Sequence, residues 1–174
     1  MRITTLLAII GGLAAADAAV AQQRHDSNAP ISFDAGHAEL QDQQGRAILS
    51  GGVTVRQAEM TLRASRVTIS YSGKALSGGS PQASRIDASG GVVVTRPDQT
   101  ARGAYGVYDI NRRVVIMLGG VALTQGGNTV NGNRLTINLD TGRAVIDGGG
   151  GAAGTSSTTP GGRVTGTFSV PKRN

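Results

Sequence analysis

Side chains able to do chemistry are few in this chain, and their spacing leads nowhere catalytic. His25 and His37 are its two histidines, the side chains that ordinarily titrate near neutral pH. His25 lies in a polar stretch, while His37 has Asp34 three residues before it and Glu39 two after it. Neither spacing forms a catalytic or metal-ligand signature. There is no cysteine, which excludes thiol chemistry, thiolate ligation and disulfides. No glycine-rich segment leads into a helix, so a phosphate cradle of the P-loop kind is not expected. The residues read as those of a protein that is not an enzyme, with no cofactor and no metal.

The remaining chemistry is charge. Lysine and arginine number 17 against 11 aspartates and glutamates, a net charge of +6, and the basic residues are nearly all arginine. Such a surface pairs with nucleic acid, an anionic membrane, or a phosphorylated lipid or sugar. Phe33, Tyr71, Tyr105, Tyr108 and Phe168 are the only aromatics, too few for a base-stacking platform, so nucleic acid is not expected. Arg56, Arg63 and Arg66 cluster in sequence and are candidates for phosphate contact. The plainer alternative is that the arginines are solvated strand faces that discourage edge pairing.

The elements that would carry these residues are announced by a repeat. Gly51-Gly52-Val53-Thr54-Val55 returns as Gly90-Gly91-Val92-Val93-Val94 and as Gly119-Gly120-Val121-Ala122-Leu123. Ten residues after each first glycine stands a threonine: Thr61, Thr100 and Thr129. Repetition at this spacing means stacked copies of one small unit. Apolar and polar residues alternate within each copy, so the unit is a β-hairpin and the chain is all-β. Glycine, at 27 of 174 residues, supplies turns and bulges.

The chain divides as follows. Residues 1–21 carry a basic head at Arg2, an apolar run from Ile3 to Leu13 and a small-x-small site at Ala19-Val20-Ala21. This is a secretory signal peptide cleaved after Ala21, so the protein is exported. Residues 22–29 form a flexible start, 30–147 a single β domain, 148–162 a Gly/Ser/Thr-rich linker, and 163–174 a last strand with a basic tail. Val53 and Val55, Val92 and Val94, and Val121 and Leu123 share one strand face, as do Ile69, Tyr108 and Ile137. With Ile31 and Phe33 these make the inward set, completed by Ile48, Leu62, Val67, Ile116 and Leu135. A one-residue slip would turn a whole set to water, so the pattern is strongly constraining.

Pro30-Ile31-Ser32-Phe33-Asp34-Ala35, Leu49-Ser50-Gly51-Gly52-Val53-Thr54-Val55 and Thr61-Leu62-Arg63-Ala64-Ser65-Arg66-Val67-Thr68 resemble the OstA-like family of lipopolysaccharide transport. Leu118 to Gln125, Val130 to Thr136 and Arg163-Val164-Thr165 agree with it. The resemblance implies a twisted, slightly open β-jellyroll whose inward set lines an apolar groove for the acyl chains of lipid A. It also implies a periplasmic location and head-to-tail stacking, as a homo-oligomer or with two partners. Those partners are an inner-membrane-anchored jellyroll and the jellyroll of an outer-membrane translocon. The sheet edges near Ile31–Asp34 and Val164–Val170 are the candidate ends. Two other readings fit the same residues: a secreted structural β-repeat protein, and the membrane-anchored jellyroll of the same pathway.

Overall fold

The computed structural model describes residues 25–148 and 162–168. The expected signal peptide, residues 22–24, the linker interior 149–161 and the tail 169–174 lie outside them. The described residues are all-β, in the order β1 (Ile31–Asp34), β2 (His37–Gln41), β3 (Arg46–Gln57), β4 (Met60–Ser72), β5 (Gln82–Thr95), β6 (Gln99–Asp109), β7 (Val114–Gln125), β8 (Asn128–Asn138), β9 (Ala144–Asp147) and β10 (Thr165–Thr167). They form one antiparallel sheet ordered β1-β3-β4-β5-β6-β7-β8-β10. The two ends mirror each other. β1 and β2 both pair with β3, and β9 and β10 both pair with β8.

The repeated glycine pairs set the shape. In β3, β5 and β7 the register shifts by one residue at Gly51-Gly52, Gly90-Gly91 and Gly119-Gly120. All six glycines have positive φ, which a residue with a Cβ resists. The irregularities stand side by side across neighbouring strands, so they form one fold line over the sheet. Each long strand is thereby divided into two halves, and the halves form two leaves.

One contact shows how far the leaves turn. Tyr108 on β6 lines up through Ile86 and Ile69 with Ala47 on β3. Gln57 lies ten residues beyond Ala47, about 33 Å along a flat strand. Yet the Tyr108 hydroxyl donates to Gln57 Oε1 at 2.8 Å. The sheet is therefore folded over on itself, and its inner face is buried by its own other half. Leu49, Val67, Val115, Met117 and Leu135 are 0–1% exposed in this core.

Register explains the sequence pattern and corrects it in two places. The strands with glycine pairs keep their inward parity through the fold line: Leu49, Val53 and Val55; Ile86, Val92 and Val94; Met117, Val121 and Leu123. Ile48 and Ile116 have the other parity and lie half-buried on the outer face, so they do not line the interior as expected. On β4, β6 and β8 the parity flips at the fold line, as from Leu62 and Ala64 to Val67 and Ile69. The repeated threonines meet in a single outer row, Thr61, Thr95, Thr100, Thr124, Thr129 and Thr167. Paired β-branched hydroxyl side chains of this kind stabilise adjacent strands.

The loop between β4 and β5 is tied down by Asp42. Its carboxylate accepts from the Tyr71 hydroxyl (2.8 Å), the Ala75 amide (3.0 Å) and the Leu76 amide (2.9 Å). The Leu76 amide, then the Tyr71 hydroxyl, hold the Asp42 pKa below its ordinary 3.8. Because the folded pKa is lowered, this contribution is complete above about pH 4 and fades as the pH falls through the lower folded value. Asp42→Asn should therefore narrow the stability gap between pH 5 and pH 3, read by denaturant titration at each pH. An unchanged gap would show that these bonds do not stabilise the loop.

The fold line can be tested by two neighbouring substitutions. A Cβ at Gly90 would stand 2.7 Å from Ser65 Cβ and Oγ, whereas one at Gly91 meets nothing within 4 Å. Both residues have positive φ. Gly91→Ala should cost about 1–2 kcal/mol of strain, and Gly90→Ala should cost more because Ser65 must also move. Shifts in urea midpoint at constant m would measure both.

Candidate functional site

The interior is built from both leaves. Val53, Val55, Leu62, Val92, Val94, Val121 and Leu123 come from one, and Val67, Ile69, Tyr108, Leu135 and Ile137 from the other. All are no more than 8% exposed and belong to one continuous cluster. The same face carries Leu49, Met60, Ile86, Val115, Met117 and Leu139, which the inward set had not included. Strand parity was the signal that could have found them. Valine, leucine, isoleucine and methionine dominate this surface, so it offers area but almost no directional bonding.

This interior meets solvent at the sheet edges. Phe33 is in register with Val55 and so shares the inner face, yet it is 49% exposed because no strand lies beyond β1. Ile31 is half-buried beside it. At the opposite end Val164 and Phe168 flank β10 with 44% and 70% exposure. β1 and β10 are thus the two ends of the sheet, as the sequence suggested, each presenting an unpaired backbone edge. The last strand is not detached. A side chain at Gly148 would collide with the Gly162 carbonyl, so the two ends of the linker lie side by side and β10 pairs with β8 just beyond the stretch that β9 covers.

At the β1 end a polar knot joins the two leaves. Residues 25–29 were expected to be flexible, but the His25 imidazole is fully buried. Its Nε2 lies 3.2 Å from Gln57 Oε1 and its Nδ1 lies 3.3 Å from Glu59 Oε1. The Gln57 amide donates to the carbonyls of Ser27 (2.9 Å) and Ala29 (3.0 Å). Tyr108 adds its hydroxyl from the other leaf, and burial pushes its phenol pKa up. One glutamine thereby ties residues 25–29 to β6, because its amide both donates and accepts. A buried glutamine in an apolar row is the sequence trace of the knot. The location of its partners, thirty and fifty residues away, leaves no such trace.

The charged candidates lie elsewhere. Arg56, Arg63 and Arg66 are exposed on the outer face, spread from the rim of one leaf across the fold line to the other, and do not line the interior. His37 is exposed on the edge strand β2. Among the described residues no group of three or more His, Asp or Glu side chains could hold a metal.

An edge-open sheet folded along a glycine line over an aliphatic interior defines an OstA-like jellyroll. The family model described as LptA/(LptD N-terminal domain) LPS transport protein matches residues 32–143, and the chain belongs to that family. It is 29% identical to the lipopolysaccharide export system protein LptH of Pseudomonas aeruginosa, over 94% of each chain. It is 30% identical to an uncharacterised protein of Rhizobium meliloti, over 84% of this chain and 86% of that one. Its fold matches the crystal structure of LptH, the LptA homologous periplasmic component of the lipopolysaccharide transport device of P. aeruginosa. The TM-score is 0.68 at 24% identity, covering 83% of this chain and 99% of that one.

The knot makes a direct prediction. Tyr108→Phe removes one hydrogen bond and should cost about 1 kcal/mol. Gln57→Leu strands two carbonyls, an imidazole and the Tyr108 hydroxyl and should cost about 2–3 kcal/mol. It should also speed hydrogen exchange at the Ala29 amide, and unchanged exchange there would show that Gln57 does not hold the segment.

Proposed function

We propose that this protein is a periplasmic carrier in lipopolysaccharide transport, sheltering the acyl chains of lipid A between its two leaves. The observation that carries this reading is a continuous aliphatic interior that meets solvent at both sheet edges. Each methylene moved from water into such a surface gains about 0.8 kcal/mol, so acyl chains cannot cross an aqueous space bare. The leaves are in contact with each other, and cargo enters by parting them about the glycine line. Contacts among valines and leucines are exchanged for contacts with hydrocarbon of the same kind, so little dispersion energy is lost. The absence of directional bonds along most of the interior lets cargo slide.

The edges supply assembly. β1 of one copy and β10 of the next can pair by strand addition, a heterologous contact that propagates rather than closes. In this reading the chain stands head to tail between an inner-membrane-anchored jellyroll and that of an outer-membrane translocon. Export follows from cleavage after Ala21, and N-terminal sequencing of the exported protein should find Gln22. An intact Met1 would instead assign it the anchored role.

Photo-crosslinking residues at Phe33, Val55, Ile69 and Ile137 should give lipopolysaccharide adducts in cells. Thr54 and Thr136, on the other face, should give none. Filaments without adducts at any inward position would favour a purely structural role, and adducts confined to the threonines would reverse the assignment of faces.

A further inference from the structure

Away from the edges and the β4–β5 loop, the exposed large apolar side chains among the described residues are Tyr105 (58%) and Leu118 (37%). They are direct cross-strand neighbours on β6 and β7, in the middle of the outer face beside the fold line. The same cross-strand row has Arg66 two strands to one side, beyond Ser89, and Arg134 next to Leu118 on the other. Across the fold line the adjacent outer row carries Arg63 and Arg102, also two strands apart. All four arginines are exposed, and none has a hydrogen-bonding or ionic side-chain partner among the described residues. The two rows hold fewer acids than arginines: Asp147 ends the first beside Arg134, and Asp34 stands two strands from Arg63 in the second. Asp87 is taken by Arg85 at 2.7 Å, and Asp147 stands opposite Arg134 without an ion pair between them.

From this arrangement we infer that the outer ridge along the fold line is a docking surface for an anionic phospholipid membrane. The outside of a folded sheet is convex at its crease, and the row spans about 19 Å from Arg66 to Arg134 at ordinary strand spacing. A convex line of side chains meets a deformable lipid surface along its whole length. A specific protein interface would instead need about 800 Å² with a desolvated apolar centre, and a tyrosine and a leucine set among arginines and glycines do not make one. Tyrosine and leucine suit the headgroup boundary, and guanidinium groups suit its phosphates. A cleft of about 260 Å³ opens between Arg66 and Tyr105, and its lining includes Ser89 and also Asp87, whose carboxylate is paired with Arg85.

The test is sedimentation of the purified protein with vesicles free of lipopolysaccharide. It should bind vesicles containing phosphatidylglycerol and not pure phosphatidylcholine. Each arginine removed should weaken binding about fivefold at low salt, so Arg66→Gln with Arg134→Gln should weaken it about 25-fold. Arg66→Lys with Arg134→Lys should retain binding, and Tyr105→Ser should weaken it at unchanged charge. These side chains are exposed, so equal thermal unfolding of wild type and variants checks the fold.

Equal binding to neutral vesicles, or indifference to the arginines, would overturn the proposal. So would polyglutamate binding as tightly as the vesicles with no effect of Tyr105→Ser, which would assign the ridge to an acidic polypeptide. The ridge variants should leave the interior crosslinks intact, so this inference and the carrier reading fail separately.

Discussion

A single sheet with no second layer has nothing to bury its apolar face against except itself. That constraint governs this molecule. The described residues contain no helix and no separate sheet, yet one face is almost dry. The glycine pairs resolve the problem by letting neighbouring strands bend at the same level, and the 2.8 Å bond between Gln57 and Tyr108 shows the two halves meeting. Closure of the sheet into a complete barrel would have removed both edges. Folding leaves them unpaired, so the device that makes a core also keeps two open edges.

The interior and the knot do different physical work. The aliphatic surface is indifferent to what it touches, provided that it is hydrocarbon. The knot is specific: one amide positions His25, Ser27, Ala29 and Tyr108 through hydrogen bonds buried at one end. The molecule thus combines a cohesive polar tie at one end with an apolar lining that lacks directional bonds elsewhere. The outer face adds a third character, with hydroxyls along the rim and guanidinium groups along the crease.

Much of this was legible in the sequence because each repeat carries its own instructions. Gly-Gly followed by alternating valines marked the bend and the inward face together, and the turn residues marked the strand ends. What stayed hidden was relational. Ile48 and Ile116 were placed inside because they are apolar, although Leu49 and Met117, one residue on, keep the parity of Val53 and Val121. On β4, β6 and β8 the parity flips where no glycine pair gives warning. His25 could not be assigned a buried place because its partners Gln57 and Glu59 lie more than thirty residues away. The exposed Tyr105–Leu118 pair was equally invisible, since neighbours across a sheet are set by register and not by sequence.

The meeting of Gly148 and Gly162 has a consequence for engineering and for evolution. A segment that departs from and returns to one spot does not set the distance between the elements it joins. Each doubling of such a segment costs only about 0.6 kcal/mol of closure entropy. Its length is therefore free to drift, and a fluorescent module could be spliced into it while the final strand keeps its seat.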